Sequence, residues 1–165
     1  MNLSQMFSQE QKKEELQLEF PLKGFGKDRI KKATPLFLSL ENIGKGKVEI
    51  KGECELEFTL ACDRCLSPVP TRLPLRFERI VYAPGMEIPE EEDDQGFMDE
   101  YDLNLELLLE EELQVCWPTK ILCHEDCKGI CPSCGQNLNE GSCGCDTFVP
   151  DIRFANLMDI FKGNE

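Results

Sequence analysis

The stretch Cys123-His-Glu-Asp-Cys127-Lys-Gly-Ile-Cys131-Pro-Ser-Cys134-Gly-Gln-Asn-Leu-Asn-Glu-Gly-Ser-Cys143-Gly-Cys145 holds six of the chain's ten cysteines. Its centre, Cys131-Pro-Ser-Cys134-Gly, is the knuckle used by zinc ribbons. Proline and glycine shape a tight turn that presents two thiolates on one side of the backbone. Cys143-Gly-Cys145 follows within loop-closing distance and supplies another pair of thiols. We therefore interpret this stretch as a metal site.

The cysteines outside this stretch allow a second site. Eight cysteines form four close pairs, 62/65, 123/127, 131/134 and 143/145. The local solution is one site made of Cys131, Cys134, Cys143 and Cys145. By elimination, the other site consists of Cys62, Cys65, Cys123 and Cys127. We therefore predict one or two structural zinc ions.

Other assignments of these side chains remain open. Cys123 or Cys127 could instead join Cys131 and Cys134 in a single site, which would leave free thiols. Cys54 and Cys116 fit small core residues better than ligands. His124, the single histidine, is interpreted as a solvated loop residue.

Length and composition limit the classes of protein that fit. The 165 residues suit one domain, or one domain with a small appendage, and 41% hydrophobic residues are enough for a core. No run reaches the roughly 18 to 20 apolar residues of a membrane span. Residues 1–9 lack the basic and apolar regions of a secretion signal. We expect a cytoplasmic protein, in which reduced cysteines indicate metal or redox chemistry rather than disulfides.

Charge is distributed unevenly along the chain. Residues 87–112 contain thirteen acidic side chains and no basic one, whereas residues 21–51 contain eight Lys or Arg and three acidic residues. Such a basic run is usually a solvated loop. The alternative is a contact with nucleic acid or another partner, made by Lys23, Lys27, Arg29, Lys31 and Lys32. The acidic part would attract a basic protein instead.

Alternation predicts two long paired strands. Apolar residues recur at every second position from Lys47 to Cys62 and again from Arg72 to Val81. Cys62-Asp-Arg-Cys65-Leu-Ser-Pro68 connects them, so we predict an antiparallel hairpin with a CxxC in its loop. Shorter strands are predicted within 15–24 and 35–40, and residues 1–15 are expected to be frayed or helical.

In the second half of the chain the sequence predicts an acidic loop followed by two helices. Residues 86–101 are too charged to pack and are interpreted as a mobile loop. Asp102 is a suitable N-cap for a helix from Leu103 to about Val115. The apolar stripe of that helix is Leu105, Leu108, Leu109 and Leu113, and Glu106, Glu110, Glu111 and Glu112 are expected to face water. A last helix is predicted after Pro150, with Phe154, Leu157, Met158 and Phe161 on one side.

These elements predict an α+β fold. An antiparallel β-sheet with a packed helix would occupy residues 1–118, including the acidic loop at 86–101. The C-terminal Cys-rich zinc-binding segment and last helix would occupy residues 119–165, packed on the first part.

Catalysis is not expected. A site of four thiolates is closed and leaves no metal position for a substrate. The sequence offers no Ser/His/Asp set, no phosphate-binding loop and no convincing carboxylate pair, so neither an enzyme nor a small-molecule substrate is predicted. One alternative is a thiol redox or zinc-responsive module at Cys62 and Cys65, whose spacing resembles that of thioredoxin.

A family resemblance joins these features. Cys62-Asp-Arg-Cys65-Leu after an alternating strand, the acidic loop and helix, and Asp126-Cys-Lys-Gly-Ile-Cys-Pro-Ser-Cys-Gly-Gln-Asn-Leu-Asn139 together closely resemble the YceD-like family. These are the large ribosomal RNA subunit accumulation proteins of bacteria and plastids. The resemblance implies a role in 23S rRNA accumulation and large-subunit assembly. The partners would be ribosomal RNA, a large-subunit ribosomal protein, or both.

Overall fold

The computed structural model describes residues 1–89 and 95–145. These residues divide into two compact units. The sheet unit comprises Met1–Leu60 and Val69–Thr119, and the cysteine unit comprises Ala61–Pro68 and Lys120–Glu165. The predicted helix after Pro150 and the acidic run 90–94 lie outside the described residues.

The described part of the sheet unit contains two helices and eight strands. The helices are α1, Ser4–Ser8, and α2, Leu105–Cys116. The strands are β1 Lys13–Leu18, β2 Gly24–Phe25, β3 Asp28–Ala33, β4 Leu36–Gly44, β5 Lys47–Ala61, β6 Pro68–Tyr82, β7 Met98–Asp99 and β8 Asp102–Leu103. Mostly antiparallel sheet with one longer helix is consistent with the α+β class.

Strand β5 is the centre of the sheet. Strands β3 and β4 pair antiparallel with consecutive parts of β5, from Ile30↔Phe58 to Gly44↔Lys47. Strand β1 pairs with β4, β2 pairs with β3, and β6 pairs with β5 as the alternation predicted. Pro35, which lacks a backbone N–H, falls between β3 and β4 and interrupts the long strand they would otherwise form.

One face of the sheet forms the core. Alternate residues of β5 from Val48 to Leu60 are buried, and the residues between them point outward and are charged, apart from Thr59. On that outer face Glu57 pairs with Arg72, at 3.3 Å. On the inner face the ring of Phe77 lies against Gly52, where an added Cβ would come within 2.2 Å of Cζ. Any larger residue at position 52 would therefore have to displace the Phe77 ring.

Helix α2 differs from its prediction at two positions. Asn104, rather than Asp102, caps the helix, and its side chain accepts a hydrogen bond from Leu107 N at 3.1 Å. Asp102 belongs to β8 and accepts a hydrogen bond from Asn2 Nδ2. Glu112 was predicted to face water, but it is 7% exposed and forms an ion pair with Arg79 of β6. A carboxylate in the apolar stripe is tolerated because a guanidinium lies opposite.

Backbone hydrogen bonds to residues 101–103 hold the N-terminal residues in place. Met1 N donates to Leu103 O, and Leu3 N donates to Tyr101 O. Leu3 and Met6 are buried in the core. Of the two alternatives predicted for residues 1–15, the helical one holds for Ser4–Ser8, whereas Lys13 to Glu15 belong to β1. Neither helix of the described chain has the length and apolar character needed to cross a membrane.

Replacing Gly52 tests the packing of β5. Gly52→Ala is expected to lower the free energy of unfolding by about 1–3 kcal/mol, because the new methyl group would overlap the Phe77 ring. Chemical denaturation measures the change. Gly96→Ala is the control, since a Cβ at Gly96 meets nothing within 4 Å. Equal stability of both variants would show that Phe77 does not constrain Gly52.

Candidate metal centres in the cysteine unit

The cysteine unit brings the eight paired cysteines into two groups of four. Site 1 contains Cys62, Cys65, Cys123 and Cys127, and site 2 contains Cys131, Cys134, Cys143 and Cys145. Within each group every sulfur lies within 4.8 Å of the others. Each group could hold a metal ion.

The distances in site 1 fit a tetrahedral thiolate site. Cys62 Sγ and Cys127 Sγ are 3.8 Å apart, and Cys65 Sγ and Cys123 Sγ are 3.5 Å apart. Zinc–sulfur bonds of about 2.3 Å would place tetrahedral sulfurs about 3.8 Å apart. The donor set of site 1 therefore fits Zn²⁺ without rearrangement of its backbone.

Hydrogen bonds hold the two halves of site 1 together. Asp63 N donates to Ile121 O at 2.8 Å, and Ile121 N donates to Asp63 Oδ2 at 2.6 Å. The guanidinium of Arg64 donates to Cys127 O at 2.7 Å, and Ile130 N donates to Arg64 O at 3.1 Å. The connection between β5 and β6 is thus fixed to the C-terminal segment by polar contacts as well as by its thiols.

Both sites begin with the same turn. In site 2 the N–H of Gly135 donates to Cys131 O, and Cys131 N donates to Gln136 O, both at 2.8 Å. In site 1 Leu66 N donates to Cys62 O at 2.9 Å, and Cys62 N donates to Ser67 O at 2.8 Å. Residues 62–67 therefore form a knuckle equivalent to residues 131–136.

Leu66 occupies the position that glycine holds in the other knuckle. Its φ is 61°, close to the 75° of Gly135. A leucine pays a steric cost in this left-handed conformation that glycine does not. Because the Cys-Pro-x-Cys-Gly signature is absent from residues 62–66, the sequence disclosed the pair of thiols but not the shared turn.

The sulfur environments differ within each site. Burial disfavours the Cys62 thiolate, but the backbone N–H groups of Cys65, Arg64 and Cys123 lower its pKa to about 6. The N–H groups of Cys134 and Ser133 lower the pKa of Cys131 to about 6. Each knuckle therefore stabilises a thiolate at its first cysteine.

Neighbouring sulfurs have the opposite effect on other thiols. Desolvation and the sulfurs of site 1 raise the pKa of Cys123 to about 12. Contact with Cys134, together with desolvation, raises the pKa of Cys145 to about 12. The pKa of Cys143 is also raised, since the sulfurs of Cys131 and Cys134 and burial outweigh the N–H of Cys145. Without a cation, several protons stay in the clusters at neutral pH.

The remaining cysteines and the histidine lie outside the two groups. Cys54 is buried on β5, and burial raises its pKa to about 12. Cys116 ends α2, and burial raises its pKa as well. His124 Nδ1 lies 3.1 Å from Cys123 Sγ, beside site 1, on an exposed residue.

The predicted basic residues lie in the sheet unit, on β3 and around the β2–β3 hairpin. We call them the hairpin cations, Lys23, Lys27, Arg29, Lys31 and Lys32, and all five are exposed. Phe25 of the same hairpin packs against Trp117 with its ring tilted and the ring centroids 4.9 Å apart, and Trp117 also contacts Phe58 of β5. The hairpin is thereby anchored to the core.

The hairpin cations differ from six of the eight other cations of the sheet unit. Lys12, Lys13, Lys51, Arg72, Arg76 and Arg79 all form ion pairs with carboxylates. Among the described residues no ion pair involves a hairpin cation. The hairpin therefore presents positive charge that no carboxylate of residues 1–89 or 95–145 neutralises by an ion pair.

The outer face of the sheet carries a separate cleft. It has a volume of about 700 Å³ and crosses β1, β4, β5 and β6. Phe37, 49% exposed, lies in it beside two ion pairs, Arg76–Glu53 and Lys51–Glu78. Its cations are therefore already paired.

Comparison with known proteins finds a family model that matches most of the chain. Residues 50–161 match the family model described as "Large ribosomal RNA subunit accumulation protein YceD". The matched range includes all eight clustered cysteines and does not include the hairpin cations.

Curated relatives share part of this range. Uncharacterized proteins of Mycobacterium bovis and of two strains of Mycobacterium tuberculosis are each 30% identical over 105 residues. The aligned region covers 62% of this chain and 50% of each relative, so the chain spans about half the length of the curated relatives it matches. No solved structure matches the chain.

Metal binding is expected to release protons. At pH 7 the raised pKa values leave Cys123, Cys143 and Cys145 protonated in the metal-free protein, and metal-bound thiolates carry no proton. Adding Zn²⁺ to metal-free protein should release about three or more protons per chain, since these three thiols alone must lose theirs. Affinity should accordingly rise with pH and fall as pH falls.

Titration in weak buffer with a pH indicator measures this release. Cys54→Ser is the control, because Cys54 lies outside both groups and should leave the proton count unchanged. Metal binding without proton release would contradict the assignment of these thiols as ligands.

Proposed function

The chain belongs to the YceD family of large ribosomal RNA subunit accumulation proteins, and on that premise we propose that it is a non-enzymatic factor for large ribosomal subunit assembly. It acts in the cytoplasm by binding ribosomal RNA through the hairpin cations, and structural zinc holds the cysteine unit in shape. The observation that carries the RNA-binding proposal is that the hairpin cations are exposed and form no ion pair within the described part of the chain.

Phosphate backbones select such a surface. An unpaired lysine or arginine gains a phosphate contact and releases counterions, whereas a paired one must first give up its carboxylate. The hairpin cations are exposed, and Phe25 anchors their hairpin on Trp117, so five charges occupy a fixed patch. This arrangement supports phosphate binding that does not depend on base sequence.

A basic ribosomal protein is a second candidate partner. Exposed carboxylates between 87 and 112 include Glu87, Asp99, Glu100, Asp102, Glu106 and Glu110. No basic residue occurs in that range. A surface of this kind repels RNA and attracts a partner rich in lysine and arginine. The two charge regions suit a protein that holds RNA and a basic protein together during assembly.

Zinc is proposed as a structural element. Four thiolates satisfy its tetrahedral coordination completely, which leaves no position for a substrate or a reactive water. Structural zinc sites contribute roughly 10 to 16 kcal/mol of apparent binding free energy at neutral pH. That is large beside the apolar burial available to a segment rich in glycine and asparagine.

The redox alternative is less well supported. Cys62 and Cys65 lie within 4.8 Å of Cys123 and Cys127, so a metal in site 1 would hold all four as ligands. A dithiol switch would need Cys62 and Cys65 free.

Neutralising the hairpin cations tests the RNA-binding surface. Changing all five to glutamine is expected to weaken binding to transcribed fragments of 23S rRNA. The slope of log affinity against log salt is negative, and its magnitude should decrease by about 3.5 to 4.5 when five phosphate contacts are lost, since each contributes about 0.7 to 0.9. Filter binding at several salt concentrations measures both quantities.

A matched control removes the same charge elsewhere. Lys12, Lys13, Lys51, Arg72 and Arg76 are also five cations of the sheet unit, but each is paired with a carboxylate. Their glutamine variant should retain most of the affinity and the salt slope. Equal losses in the two variants would contradict a specific role of the hairpin.

A further inference from the structure

Asn139 links the two metal sites. In sequence it lies between Cys134 and Cys143, two ligands of site 2. Its side chain nevertheless points to site 1, where Nδ2 donates to Cys127 Sγ at 3.3 Å. None of the residues Asn137, Leu138 and Asn139 is a ligand of either site, so metal ligation does not account for the contact between Asn139 and Cys127.

Hydrogen bonds fix the orientation of the Asn139 amide. Its Oδ1 accepts from the backbone N–H of Lys128 at 2.8 Å. Its Nδ2 also donates to Asn137 Oδ1 at 2.8 Å, and its backbone N–H donates to the same oxygen at 3.0 Å. Only the amide oxygen can accept from a backbone N–H, so the nitrogen must face the sulfur.

The backbone around Asn139 belongs to both sites. Leu138 N donates to Gly129 O at 2.9 Å, and Ile130 forms a bridge with Asn137. Cys131 N donates to Gln136 O. One side of this small hairpin therefore runs from Cys127 of site 1 to Cys131 of site 2, and the other side carries Asn139.

We infer that Asn139 is a positioning residue that couples the two metal sites. It donates a hydrogen bond to the Cys127 thiolate in site 1 while its backbone lies in the loop that site 2 closes. Metal in site 2 holds this loop and so strengthens site 1, and by linkage metal in site 1 strengthens site 2. This inference rests on the proposal that both sites hold zinc.

Removing the Asn139 side chain tests which metal site it supports, site 1, which it contacts, or site 2, whose ligands flank it in sequence. In the full-length protein loaded with zinc, Asn139→Ala is expected to weaken site 1 by about 10- to 100-fold, the usual effect of losing a hydrogen bond to a metal ligand. Site 2, whose ligands flank Asn139 in sequence, should lose far less. Chelator competition gives the affinities, and mass spectrometry after alkylation identifies which thiols are exposed first.

Two further variants separate the sulfur contact from general support of the loop. Asn139→Asp keeps an oxygen for Lys128 N but has no N–H for Cys127, and it should also weaken site 1. Ser142→Ala changes an exposed residue of the same loop and should leave both sites intact. Wild-type affinity of Asn139→Asp at site 1, or weakening of site 2 rather than site 1 by Asn139→Ala, would overturn the inference.

A double-mutant cycle measures the coupling itself. Opening site 2 with Cys143→Ser should lower the zinc affinity of site 1 in the wild-type background. The same change should have less effect in Asn139→Ala, because the connecting side chain is already lost. Equal effects in both backgrounds would show that Asn139 does not couple the sites.

Cadmium substitution provides a readout that needs no variant. The Nδ2–H of Asn139 is expected to show a scalar coupling to ¹¹³Cd in site 1 by NMR, transmitted through the sulfur. If the chain binds two ions and this coupling is absent, the inference about Asn139 would be overturned and the zinc proposal would stand. A chain that binds neither Zn²⁺ nor Cd²⁺ would overturn the zinc proposal, and this inference with it.

Discussion

Mutual repulsion among clustered thiolates is the constraint on which the cysteine unit depends. Four sulfurs lie within 4.8 Å of one another in each site. Two unit charges 4 Å apart repel by about 4 kcal/mol at an effective dielectric constant of 20, so four thiolates cannot share such a space unaided. The protein can respond by retaining protons, as the raised pKa values of Cys123 and Cys145 show, or by binding a cation. Knuckle N–H groups pointing at Cys62 and Cys131 favour the second response, because they stabilise thiolates ready for a metal.

The sheet unit is stabilised by different means. Its core is one apolar face of β5 and its neighbours, closed by α2, and its outer face is a pattern of cross-strand ion pairs. Surface ion pairs of this kind contribute little to stability, typically under about 1 kcal/mol each. Their effect here is on recognition: they neutralise six of the thirteen cations of the unit, and the five of the β2–β3 hairpin form no ion pair with a described carboxylate. The same chain thus carries two groups of four cysteines that could hold metal ions and, on the sheet unit, a surface suited to phosphate.

Sequence patterns predicted what depends on local periodicity and failed where distant residues intervene. The β5–β6 pairing followed from alternation because β5 buries every second residue along its length and β6 does so from Leu73 to Phe77. The beginning of α2 was misplaced because Asp102 pairs with Asn2, a contact between residues 100 positions apart. Glu112 was assigned to solvent because nothing local marks Arg79 as its partner. Spacing identified the four thiol pairs, yet it could not disclose that Leu66 repeats the turn of Gly135 or that Asn139 reaches Cys127. The turn at residues 62–67 is closed by local backbone hydrogen bonds that no signature in the sequence marks, and Asn139 meets Cys127 only once residues 127–139 fold back on themselves.

Metal content and sulfur coordination of the purified protein test the central claim most directly, namely that two four-thiolate zinc sites organise the cysteine unit. Protein purified without chelator would be examined by elemental analysis and by X-ray absorption at the zinc edge. The account predicts two zinc ions per chain, each with four sulfur neighbours at about 2.3 Å. One ion per chain, or a coordination shell containing nitrogen or oxygen, would contradict it.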